Sequence, residues 1–547
     1  MPPLLAVLAG VFVLGRGPVD LVIRHAHIWS DGKILVGDSI AVIGGRIAYV
    51  GPYESRWIDP STKVIDVKGR FVIPGLIDCH THFGESGSNL LLLQLRDVGG
   101  RKEFIRRIAN AVGKLGPGEW LQGSGWSTES WPDPAQPRKE WVDGISSGHP
   151  ICLERMDGHS VFVNSEALRL AGITKDGPPD PPGGVIERDP VTHEPTGVLR
   201  DTAISFVEMK LPSGTRVRQE EGLRLAIREA NSHGVTTVCD IGNDLTVYGR
   251  VYRKTTPTLR FFLYLVAGDG YWDNMVAALK RFTGVPGFVE ARGVKAFMDG
   301  SMGSRTAFMH DPFANPGPNH PADFRGVERS GAKNGNYARG IALAARSGLQ
   351  VIVHAIGDQA NHDILDLFEN NAPGLAAKRF RVEHAQHLLP DDVARFGNLG
   401  VIPSMQPLHK ADDGRYAEEV VGKERCRTSY AYRSLLRSGA NLVFGSDWPV
   451  VSCDPFLGID AAVTGRTMKG DVWFPEQNIS VDEALKSYTS RAAYSFFMEN
   501  ELGQIKPGYR ADLVVLSESP FANGVKLGKI HPVRVFVEGR DATVYGK

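Results

Sequence analysis

Hydrophobic and polar positions change rhythm twice along the chain. From Asp20 to about Gly69, and again from Arg510 onward, short β-rich runs are separated by turn residues: DLVIRHAHIW, DSIAVIGGRIAYVG and KVIDVKG, then RADLVVLS and VRVFVEGRDATVYG. Gly44-Gly45 lies between two such runs and predicts a hairpin turn, because glycine reaches the positive φ that tight hairpins need. Between these ends, β-branched runs alternate with stretches of helical periodicity, the pattern of parallel strands joined by helices. The runs are FVIPGLIDCH (from Phe71), GVTTVCDIG (from Gly234), LRFFLYLV (from Leu259), GVKAFMDG (from Gly293), LQVIVHA (from Leu349), FRVEHAQ (from Phe380), GVIPSMQP (from Gly400) and NLVFGSDWP (from Asn441). They number eight, as a closed (β/α)8 barrel requires. EEGLRLAIREANSHG and YARGIALAARSG are helical stretches between them.

The pattern predicts an α/β fold: a (β/α)8 TIM-type barrel over 71–499, a β-sandwich built from 19–70 together with 500–547, and a large insertion at about 85–211 after the first barrel strand. A ninth run, PICLERMDG from Pro150, does not fit the barrel count and is assigned to that insertion, which is rich in Pro, Gly and Trp. Loops that follow barrel strands build the active face, so the insertion belongs on that side.

Composition narrows the classes of function. The 547 residues carry 62 Lys and Arg against 62 Asp and Glu, without the basic excess of a nucleic-acid binder. Five scattered cysteines, never in a CxxC pair, argue against a disulfide framework or a zinc knuckle and suit a reducing compartment. Residues 1–18 hold an apolar stretch from Leu4 to Gly15, too short to span a bilayer; without a preceding Lys or Arg it favours a cytoplasmic reading, with export as the alternative. No later segment reads as a transmembrane span.

The candidate chemistry sits at strand ends. GLIDCHTH places His80 and His82 one residue apart, so that in an extended strand both imidazoles point the same way. Imidazole is the commonest protein metal ligand, and two at one strand end make half of a hydrolytic metal site. His354 ends LQVIVH, His384 ends FRVEH, and Asp447 ends LVFGSD, each at the carboxyl end of a predicted strand where barrel enzymes place their chemistry. Lys295 lies inside an apolar strand, where a charged amine is costly to bury. It is either paired with a carboxylate such as Asp299 or carboxylated by carbon dioxide into a carbamate that bridges two metal ions. Substrate contacts are expected from Asp157 and His159 in RMDGHS, from Gln406 and His409 after the seventh strand, and from Trp126 as a pocket wall.

GLIDCHTH, VIVHAIGD, VEHAQH, GSDWPV and IKPGYRADLVVL resemble the metal-dependent amidohydrolase superfamily. GSGW, RMDGHS, PPGGVIERD and VKAFMDGSMGSRTA are similar to its amidohydrolase 3 branch, which includes N-substituted formamide deformylases. By motif position the resemblance implies metal ligation by His80, His82, Lys295, His354, His384 and Asp447, with one or two divalent ions, zinc first among them. It also implies a small-molecule amide as substrate and a homo-oligomer. The expected reaction is hydrolysis of a C–N bond in an amide, N-formyl or N-acyl compound by hydroxide generated at the metal, with Asp447 as the catalytic proton carrier. His354 or a group from the insertion is expected to stabilise the oxyanion. Two alternatives stand beside this: the same site acting on an ester or lactone, and a non-catalytic binding protein on a hydrolase scaffold. Cys239 stands where many relatives have histidine.

Overall fold

The computed structural model describes residues 19–545 apart from 129–130, 156–159, 182–183, 213–215, 243, 269 and 318–319. Its centre is a sheet of parallel strands: β1 (Leu76–Thr81), β2 (Val235–Ile241), β3 (Arg260–Val266), β4 (Val289–Phe297), β5 (Gln350–Ala355), β6 (Arg381–His384), β7 (Ile402–Met405) and β8 (Val443–Phe444). Each pairs in parallel with its neighbour in chain order. The ring closes where Thr81 bridges Trp448 and the His82 amide donates to the Trp448 carbonyl at 2.8 Å. All eight expected strands are present, so the chain is a TIM-type barrel.

Alternate residues of these strands face opposite ways, as the pleat demands. On β4 and β5, Val294, Ala296, Val351 and Val353 pack outward against the helices of the main core, such as Asn336–Arg346 and Asp358–Asn371. Ile352 packs instead with Cys79, Cys239 and Tyr264 in a separate cluster within the ring.

Both chain ends build the β-sandwich. A four-stranded sheet contains Leu21–Arg24, Ser39–Ile43, Arg46–Gly51 and Lys63–Asp66. A six-stranded sheet joins His27–Ser30 and Phe71–Pro74 from the N-terminal side to Leu513–Leu516 and Pro532–Val537 from the C-terminal side. Ile23, Ile28, Val72, Leu513 and Phe536 share one core between them. The expected hairpin is there: Gly44 and Gly45 have φ of 56° and 78°, and Ile43 pairs with Arg46. The run FVIPGLIDCH, read as one strand, is two. Phe71–Pro74 belongs to the sandwich and Leu76–Thr81 to the barrel, and at Gly75 between them a Cβ would lie 2.2 Å from Thr236 Oγ1.

Residues 84–226 form a second compact unit. Its mixed sheet includes Leu121–Trp126, Ile151–Arg155, Ser160–Val163 and Pro195–Asp201. It has a core of its own around Phe104, Trp126, Trp131, Leu153 and Phe162. All five cysteines of the chain are buried and unpaired. Among the described residues, no helix is long and apolar enough to cross a membrane.

Candidate metal centre

At the carboxyl ends of the strands lies a cavity of about 420 Å³ whose lining includes His80, His82, Lys295, His354, His384, His409 and Asp447. The six expected metal ligands thus share one cavity. His80 Nε2 and His82 Nε2 approach Asp447 Oδ1 at 3.4 and 3.2 Å. The His384 ring lies between those of His80 and His354, at centroid distances of 4.9 and 4.5 Å.

Local backbone irregularities aim these side chains. Between Asp78 and Thr81, β1 carries one residue more than β2 opposite it, a bulge of the kind that redirects side chains at barrel rims. His384 and Ala385 have φ of 74° and 44°, and Asp447 has φ of 62°. These left-handed residues are held by tertiary bonds. The Asp447 amide donates to the His80 carbonyl at 2.7 Å. Asp78 receives the amides of His80 and Ser446 and the Ser446 hydroxyl, tying β1 to the loop after β8. Gly445 is required there, since a Cβ would come within 2.5 Å of the His80 nitrogen.

His80, His384 and His354 are each fixed by a partner on one ring nitrogen, as metal-binding histidines are. His80 Nδ1 lies 2.5 Å from Glu383 Oε2, which leaves Nε2 toward Asp447. Glu383 is buried and also receives Arg381 Nε at 2.7 Å. Arg381 in turn donates to the Cys79 carbonyl at 2.7 Å and to Cys239 Sγ at 3.5 Å, so Cys239 serves this guanidinium. His384 Nδ1 donates to Gln406 Oε1 at 2.8 Å. His354 Nε2 lies 3.0 Å from the Gly300 carbonyl and 3.3 Å from Asp299, so its lone pair is on Nδ1.

Electrostatics prepare the same groups. Burial lowers His80 to about 4 and drives His384 well below the usual range, leaving both rings unprotonated as ligation requires. Burial alone would raise the Asp447 carboxyl, but His80, His82, His384 and His409 hold it well below its usual range, as a carboxylate. Burial brings Lys295 down to about 8 against the opposing pull of Glu383 and Asp447.

His80 Nε2, Lys295 Nζ and Asp447 Oδ1 are buried without a hydrogen-bond partner. Unsatisfied buried polar atoms cost about 1–3 kcal/mol each, more when charged, so three converging on one cavity mark a place for a ligand. His80, His384 and Asp447 each offer a ligand atom, all within 4.8 Å of one another. Two imidazoles and a carboxylate are a donor set suited to a zinc-like divalent ion. The residues fit a metal.

Several expectations are revised. Lys295 is not paired with Asp299, whose carboxylate receives the amides of Phe308, Ile356 and Gly357. Gln406 is fully buried and orients His384, so it is not a substrate contact. Trp126 is no pocket wall: it has no exposed surface, and its indole donates to the Leu153 carbonyl in the core of the inserted unit. The Nε2 of His354 is committed to Gly300 and is not free to donate to an oxyanion. Asp157 and His159 lie outside the described residues. Glu383, Arg381 and Gln386 were not singled out from the sequence; the signal for the first two was a pair of alternate charges in the apolar run FRVEH.

Known proteins share this architecture along nearly the whole chain. The LONG AFTER FAR-RED 3 protein of Arabidopsis thaliana is 35% identical over 521 residues, covering 91% of this chain and 87% of the relative. The N-substituted formamide deformylase of Arthrobacter pascens is 26% identical over 538 residues, covering 95% and 97%. The crystal structure of an uncharacterized metal-dependent hydrolase from Pyrococcus furiosus superposes with a TM-score of 0.74 at 26% identity, covering 92% of this chain and 100% of that one. Residues 63–543 match the model of the amidohydrolase family. A match of that extent, on a barrel whose strand ends gather histidines and an aspartate, establishes that this chain belongs to the amidohydrolase family of metal-dependent hydrolases.

Proposed function

We propose that this protein hydrolyses the C–N bond of a small amide, an N-formyl or N-acyl compound, at a divalent metal site held by His80, His82, Lys295, His354, His384 and Asp447. The observation that carries this reading is the convergence of His80, His384 and Asp447 within 4.8 Å, with His80 Nε2 and Asp447 Oδ1 buried and without a hydrogen-bond partner. Zinc suits the mixed imidazole and carboxylate donors. When bound, such an ion supplies Lewis acidity toward a carbonyl and acidifies water. Asp447 accepts the proton released by the attacking water and passes it to the departing nitrogen as the C–N bond breaks. Phe297, Met302, Ile356 and Val450 give the cavity apolar walls that suit an alkyl or aryl substituent on that nitrogen. The deformylase from Arthrobacter pascens acts on N-substituted formamides, which supports a C–N substrate.

The test is a substrate panel on protein whose metal content has been measured. Turnover of 4-nitroformanilide, abolished by a chelator and restored by zinc, is the expected result. Brisk hydrolysis of 4-nitrophenyl acetate with none of the anilide would replace the amide reading with the ester one, and metal-free protein with an intact fold would favour a scaffold.

Lys295 completes the proposed ligand set as a carbamate. Its amine, lowered to about 8, is partly unprotonated at neutral pH and attacks carbon dioxide, forming an N–C bond and releasing one proton. Metal loading in ¹³C-bicarbonate is expected to give one carbamate carbon resonance that Lys295→Arg abolishes. Its absence from fully loaded protein would limit Lys295 to an amine role.

A further inference from the structure

Beside His384 and Asp447, His409 is the imidazole of the cavity to which the ligand scheme gives no task. It stands in the first turn of the helix Pro407–Asp413, directly after β7. Its ring lies nearly parallel to that of His384, 6.1 Å away at an interplanar angle of 8°. Its Nε2 is buried, makes no hydrogen bond, and lies 3.8 Å from Asp447 Oδ2. Its Nδ1 lies 3.5 Å from the side-chain amide nitrogen of Gln386, itself buried.

These positions decide which ring nitrogen carries hydrogen. With its amide nitrogen turned toward His409 at 3.5 Å, Gln386 can only donate, so in this arrangement Nδ1 of His409 accepts and the hydrogen resides on Nε2. That hydrogen points into the cavity beside the carboxylate proposed to move the proton. The backbone adds support: Pro407 at the start of the helix fixes the first turn, and the His409 amide donates to the Gln406 carbonyl at 3.0 Å. His354, by contrast, spends its donor on Gly300.

We propose that His409 is a catalytic residue: its Nε2–H donates a hydrogen bond to the substrate carbonyl oxygen and stabilises the negative charge that develops there, with Gln386 holding the ring in the donating tautomer. No bond to His409 is made or broken. The oxygen gains charge as water adds to the carbonyl carbon and returns it as the leaving group departs. The inference rests on the hydrolytic reading above, but its test separates the two. An amide and an ester both pass through a tetrahedral anion, so the donor is needed for either.

The experiment compares wild type, His409→Leu and His409→Gln, each with measured metal content, on 4-nitroformanilide and 4-nitrophenyl acetate. His409→Leu is expected to keep its metal and lose about 10²–10³-fold in kcat on whichever probe the wild type hydrolyses, with KM changed only a few-fold. His409→Gln, which retains a donor, is expected to recover part of that loss. Loss of metal in step with activity, or kcat within tenfold of wild type for His409→Leu, would overturn the proposal. A second readout needs no turnover: in metal-loaded protein carrying ¹⁵N-histidine, the His409 signals, assigned by their absence from His409→Leu, are expected to place the hydrogen on Nε2. Finding it on Nδ1 would overturn the proposal even if neither probe is a substrate.

Discussion

Asp447→Asn is expected to retain most of its metal while kcat falls by about 10³-fold, within the range a general acid–base group supplies. The two carboxylate oxygens have different surroundings. Oδ1 faces His80 and His82 at 3.4 and 3.2 Å, while Oδ2 faces His409 at 3.8 Å. An asparagine of the same shape keeps an oxygen for the first position and puts an amide that cannot take a proton in the second. It also tolerates the backbone, because asparagine is among the few residues at ease at the φ of 62° found here. The amide bond from residue 447 to the His80 carbonyl involves no side chain and survives. Asp447→Ala, lacking any ligand atom and strained at that φ, should lose metal as well. Elemental analysis beside steady-state kinetics distinguishes these outcomes. Parallel loss of metal and turnover in Asp447→Asn would make Asp447 chiefly a ligand and leave the proton carrier to be found elsewhere.

The strands were legible because their causes are local: β-branched runs of the right length, bounded by glycine and proline, with the chemistry placed at their carboxyl ends. The aim of the side chains was not. Strict alternation along β6 puts Arg381 and Glu383 on one side and His384 on the other, yet His384 turns back to the mouth because its φ is 74°. Nothing in VEHAQH announces that turn, which depends on packing against β7 and the bond to Gln406. His80 and His82 do converge, but in a strand that is bulged against β2, a feature that arises only when two strands are laid side by side. Gly75 was hidden for the same reason, since its need for glycine comes from Thr236, far away in the chain. Gln406 looked like a substrate contact because it follows a barrel strand, and only its partner at the end of the neighbouring strand shows that it serves His384. Glu383 was visible as a charge in an apolar run, a costly placement that should always prompt a search for its partner.

Glu383 has two partners, His80 and Arg381, and so two roles. Its carboxylate is fully buried; burial favours protonation, but the Arg381 guanidinium and His80 overcome it and hold the pKa at about 2. Glu383→Gln keeps the shape and removes the charge. Arg381, enclosed near Tyr264 and Phe496, is then a buried cation without its counter-ion, which costs about 3–5 kcal/mol. His80 meanwhile loses the anion on Nδ1 that orients its ring, and removing such a partner weakens metal binding by about 10–100-fold. The expected outcome is a thermal midpoint about 5 °C lower together with weaker zinc binding in a competitive chelator titration. Replacing both partners separates the two effects. Arg381→Leu with Glu383→Leu buries no unpaired charge, so much of the stability should return. Zinc affinity should stay low, because His80 Nδ1 still has no acceptor. If the double variant regains affinity along with stability, Glu383 is only the counter-ion of Arg381. The orientation of His80 would then come from its place on the bulged strand.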